Sequence, residues 1–171
     1  MASAKPKKTI LKTRNGVEAL IIERPAGTQG TATNTYPGAY LPYSVSSPAT
    51  YLHQNGATKS TGAPLNRRPV FAVERGEIGQ DISSPTTPGD LVAGFHAQEG
   101  DVVYALAVTG TTYSPGNLMK PEAGSTYGAL KQANATTGAT PTLVGICRST
   151  IATAATNLAT QLTKKIKMEV L

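Results

Sequence analysis

From Pro69 to the last residue, short apolar runs and turn-forming clusters follow one another at the spacing of about 8 to 12 residues that marks an all-β chain. The runs lie at 70–73, 91–95, 102–108, 117–120, 127–131, 143–148 and 164–170. Pro88-Gly89-Asp90, Glu99-Gly100-Asp101, Ser114-Pro115-Gly116, Glu122-Ala123-Gly124 and Thr137-Gly138-Ala139 stand between them. Such clusters supply the preset and positive φ angles of tight turns. With 17 Gly, 12 Pro and many Thr in 171 residues, long helices are disfavoured. One segment stays ambiguous: Ile151, Ala155, Leu158, Leu162 and Ile166 recur at helical spacing, while Ile166, Met168 and Val170 alternate with charged residues as in a half-buried strand. The strand is assigned from Lys164, and 151–162 is left open.

Residues 1–69 differ in character. Residues 9–14, then Asn15-Gly16, then 17–22 predict a hairpin with a type I′ turn, because Asn-Gly accepts two positive φ angles. From Arg24 to Val73 there is no acidic residue, and Pro25, Pro37, Pro42, Pro48, Pro64 and Pro69 punctuate the stretch together with Tyr36, Tyr40, Tyr43 and Tyr51. A segment so long and so poor in periodicity cannot build a core of its own. The expected organisation is an extended N-terminal arm and loop region over 1–69 and a compact β domain over 70–171.

The net charge of +6 is unevenly placed. Lys5, Lys7, Lys8, Lys12 and Arg14 give +5 before residue 15, residues 15–163 sum to −1, and the last eight residues contribute +2. The chain therefore reads as a near-neutral body with basic ends. A basic arm can neutralise phosphates, remain a solvated tail, or lie on an acidic protein surface and pair with its sheet edge. With aromatics at 5%, no Trp, and no aromatic between the charges, nucleic acid is the weaker reading.

The inventory for chemistry is thin. Glycine-elbow, phosphate-loop, dinucleotide and zinc-protease motifs are missing. One cysteine and two histidines leave little for a disulfide framework or a soft-metal centre, so no cofactor and no metal are expected. Ser83, His96 and Asp101 could be drawn as a triad, but a surface His at a strand end is the plainer reading. Glu74, Glu77 and Asp81, and separately Glu99 with Asp101, group carboxylates without a known ligand spacing. Cys147, inside an apolar run, reads as a small buried hydrophobe. No catalytic residue and no enzyme activity are expected. No apolar run approaches the ~18 residues of a membrane span, and the basic start lacks the apolar stretch of a secretory signal.

The stretch Pro88-Gly89-Asp90-Leu91-Val92, then Glu99-Gly100-Asp101 followed by 102–107, then Pro115-Gly116-Asn117-Leu118, then Leu143-Val144-Gly145-Ile146-Cys147, resembles the cadence of tailed-bacteriophage head decoration, or cement, proteins over about residues 70–171. The resemblance implies a small β-tulip or barrel-like body and extended terminal arms that grip the major capsid protein. It also implies assembly as a homotrimer, with a dimer as the alternative, on the capsid exterior of a virion, after synthesis in the host cytoplasm. The residues expected to serve are Lys5, Lys7, Lys8, Ile10, Lys12 and Arg14 as a capsid-binding arm, and Tyr36, Tyr40, Tyr43, Tyr51, Arg67 and Arg68 as a capsid-contact loop. The alternative function is a nucleic-acid-binding packaging or scaffold protein that uses the basic termini. A weaker third reading, a glycan-binding or glycan-cleaving virion appendage, would use Tyr104, Tyr113, Glu99 and Asp101.

Overall fold

The computed structural model describes residues 8–16, 18–26, 34–41, 68–81, 84–87, 89–108, 111–122, 128–133, 143–150 and 165–171. Among the described residues nine strands run in chain order: β1 (Ile10–Lys12), β2 (Ile21–Pro25), β3 (Val70–Val73), β4 (Leu91–His96), β5 (Val102–Leu106), β6 (Leu118–Pro121), β7 (Leu130–Gln132), β8 (Gly145–Cys147) and β9 (Lys165–Val170). The protein is all-β among the described residues, with only two short 3-10 turns besides. Each apolar run after Pro69 carries one strand, and Gly100 and Gly116, at φ 87° and 90°, make the reversals their clusters predict. Residues 151–162, with their competing helical and strand patterns, lie outside the described residues.

The strands form two antiparallel sheets, one of six strands in the order β1-β5-β9-β8-β6-β7 and one of three in the order β2-β4-β3. Neither sheet is closed. A single parallel bridge from Ala107 to Leu130 links the chain after β5 to the far edge of the larger sheet.

The N-terminal hairpin does not form. β1 pairs with β5 in the larger sheet and β2 with β4 in the smaller one, with a 3-10 turn at Arg14–Gly16 between them. The Asn-Gly reversal is a local preference, and the long-range pairings of Ile10 with Val103 and of Ile21 with Phe95 carry the two strands into different sheets. Strands from both sides of residue 69 thus share each sheet, and the described part of 1–69 is built into the body.

Two apolar clusters result. One gathers Phe71, Val73, Ala93 and Phe95 of the small sheet with Val103, Ala105, Met119, Leu130, Cys147, Ile166, Met168 and Val170 of the large one. The other lies on the opposite face of β3 and β4, where Val70, Ala72 and Val92 meet Leu106 and the strap 34–41 through Tyr36, Ala39 and Leu41. Burial on both faces explains why all four β3 residues, Val-Phe-Ala-Val, are apolar. The strap is stitched to both sheets: the Gly38 N–H donates to the Ala72 carbonyl at 2.7 Å, and the Leu106 N–H donates to the Gly38 carbonyl at 2.8 Å.

Candidate interaction surface

Residues 8–14 run along the outer edge of the six-stranded sheet. Their backbone is fastened at both ends by buried or half-buried groups. Thr9 is buried, its N–H donates to the Glu74 carboxylate at 3.1 and 3.2 Å, and its carbonyl accepts the Tyr104 N–H at 2.8 Å. Five residues on, the Arg14 N–H donates to Asp101 Oδ1 at 2.6 Å, while the Gln98 N–H donates to Oδ2 at 2.7 Å. Hydrogen bonds to carboxylates are the stronger class, so this edge is held on the body.

The fastening sorts the expected arm residues by position. Ile10 is half-buried and packs against the main core, so it serves the fold. Lys8, Leu11, Lys12 and Arg14 are exposed, with Leu11 at 40%. Lys5 and Lys7 lie outside the described residues. A register shift in the pairing falls between Ile10 and Lys12, opposite Val103 and Val102. Such irregularity blunts an edge strand against indiscriminate pairing.

Beside Arg14 a shallow cleft opens between residues 13–20 and the end of β4, lined by Leu20, Phe95, His96 and Asp101 among others. Leu20, on the cleft wall, and Ile21, the first residue of β2, are exposed at 45% and 47%. His96 is buried, not the surface histidine the sequence suggests, because β2 and β3 flank it in the small sheet. Burial first, then the positive charge of Arg24 and Arg68, pushes its pKa below the ordinary value of 6.5. The imidazole is therefore neutral at pH 7.

Of the expected contact loop, Tyr36 and Tyr40 are 7% and 8% exposed and belong to the two apolar clusters. Their rings are internal packing, with Tyr40 edge-to-face on Phe71 at 6.0 Å, and they do not form an outward surface. The sequence held a signal for this: Tyr36-Pro-Gly-Ala-Tyr-Leu41 is apolar apart from its phenol hydroxyls. Arg68 is exposed, while Tyr43, Tyr51 and Arg67 lie outside the described residues.

The carboxylate groups drawn together by sequence have separate tasks. Glu74 holds Thr9, Glu77 pairs with Arg75 at 3.1 Å, and Asp81 accepts the Ser84 hydroxyl at 3.1 Å. Asp101 fastens two backbone segments, and Ser83 lies outside the described residues. Among the described residues no three His, Cys, Asp or Glu side chains gather as a metal site would require. Tyr113 is buried and donates to the Val108 carbonyl at 3.0 Å. Cys147 is buried, and its thiol meets the Ser149 carbonyl. Among the described residues no helix is long and apolar enough to cross a membrane.

No protein-family model matches this chain, and no curated protein is significantly similar to it in sequence.

Proposed function

We propose that this chain is a structural module that decorates the outer surface of a phage head and stabilises the lattice of the major capsid protein. The observation that carries the reading is the edge over residues 8–14: its backbone is fastened by Glu74 and Asp101, and Lys8, Leu11, Lys12 and Arg14 point away from the core. Side chains held outward on an ordered backbone lose less conformational entropy on binding than a free tail does. Lys5 and Lys7 add to the same basic sign, which suits an acidic protein surface. The cadence shared with cement proteins supports the same reading, together with a β-tulip-like body, a homotrimer in preference to a dimer, and a place on the virion exterior.

The test is binding to purified expanded heads by a chain carrying Lys8→Glu, Lys12→Glu and Arg14→Glu. None of the three side chains belongs to a core cluster, so the unfolding midpoint stays as in the wild type. Charged contacts at a binding rim contribute up to about 1 kcal/mol each, so binding should weaken about tenfold or more. Undiminished binding would remove the edge from the interface. If the wild type ignores heads but shifts DNA in a gel at low salt, and the variant does not, the packaging-protein reading replaces this one.

A further inference from the structure

Lys165 opens β9 opposite Leu106, and alternation along β9 puts it on the same face as the exposed Lys167. Yet it is only 4% exposed. The strap 34–41 covers it, with the side-chain Cδ lying 3.5 Å from where a Cβ on Gly38 would sit. The same strap joins the two sheets through the Gly38 N–H to Ala72 and the Leu106 N–H to Gly38. The aliphatic stem of Lys165 thus passes under a segment that bonds to β3 on one side and β5 on the other.

We infer that the strap and Lys165 form a proton-linked seam: lifting the strap hydrates Lys165 and takes up a proton, so the two sheets hold together more firmly in mild alkali than at neutral pH. The inference does not depend on what the basic edge binds.

Two carboxylates among the described residues act on the site. Glu74, after β3, and Asp81, after the 3-10 turn at Gly76–Ile78, favour the charged lysine. Burial outweighs them and brings the group from 10.5 to about 7. Arg75 is engaged by Glu23 at 2.9 Å and Glu77 at 3.1 Å, Lys167 is exposed to solvent, and burial pushes the Tyr40 phenol further up. Lys165 is therefore the group on the seam that changes charge near neutrality.

Between about pH 7 and 10.5 the closed seam leaves Lys165 largely neutral, whereas in water the same group is charged. Opening binds one proton across that window, so the opening constant falls as pH rises, approaching tenfold per pH unit. Below about pH 7 both forms are protonated and the dependence flattens.

Hydrogen exchange on the full chain tests this, with protection factors of the Gly38 and Leu106 amides corrected for intrinsic exchange rates. From pH 7 to pH 9 the wild type should gain protection at a slope approaching tenfold per unit, while Lys165→Met should show a flat profile and greater protection at pH 7. A flat wild-type profile, or an equal slope in the variant, overturns the inference. Should the variant fail to fold, an NMR titration of the Lys165 side chain decides. A midpoint near 7, with Gly38 and Leu106 protection following it, supports the seam, and a midpoint near 10 overturns it.

Discussion

Substituting Gly38 by Ala should loosen the strap and separate the two sheets at one point. Gly38 is buried, has φ +89°, and a Cβ there would lie 2.6 Å from the Tyr104 carbonyl oxygen. Gly116 supplies the control, since its φ is +90° and nothing stands within 4 Å of its Cβ position. Both variants lose the conformational freedom of glycine at a positive φ, at about 1 to 2 kcal/mol. Only Gly38→Ala must also move: ordinary contact begins at 3.4 Å, so the strap has to retreat by about 0.8 Å. That displacement takes the Leu106 N–H to Gly38 bond, now 2.8 Å, out of hydrogen-bond range, and strains the Gly38 N–H to Ala72 bond at 2.7 Å. Two buried backbone bonds at about 1 kcal/mol each make Gly38→Ala about 2 kcal/mol more destabilising than Gly116→Ala. For a chain of this size that difference corresponds to about 4 to 8 °C in Tm. Urea unfolding and calorimetry of the two variants read it directly. Equal destabilisation within about 0.5 kcal/mol would refute the close approach of the strap to β5.

Two further outcomes follow from the packing. Asp101→Ala should destabilise by about 2 to 4 kcal/mol in urea unfolding, because the Arg14 and Gln98 N–H groups both lose a carboxylate partner, whereas Glu99→Ala, on the same turn but exposed, should cost less than about 0.5 kcal/mol. Phe71→Ala should cost about 3 to 5 kcal/mol, since the ring is fully buried between the sheets and against Tyr40, and loss of a cooperative near-UV transition is the measurement that reports it.

The strands are most legible in the sequence where the pattern is local. In β9 the alternation Ile166, Met168, Val170 lands on three buried positions, and in β3 four consecutive apolar residues mark a strand covered on both faces. The basic edge was half legible. Charge located it, but its attachment depends on Glu74 and Asp101, which lie 65 and 87 residues away from their partners in sequence. Asn15-Gly16 announced a reversal and could not announce that β1 and β2 leave it for different sheets.

Taken alone, the sequence determined the all-β class, the approximate positions of the described strands after Pro69, the reversals at Gly100 and Gly116, and the concentration of positive charge at the ends. These properties depend on side-chain period, φ preferences and counting, which are settled within a few residues. Only the tertiary structure decided that Tyr36 and Tyr40 are core, that His96 is buried, and that Lys165 lies under a strap. Each of these is a question of what covers a face, and the covering segment comes from a part of the chain that no local pattern connects to it.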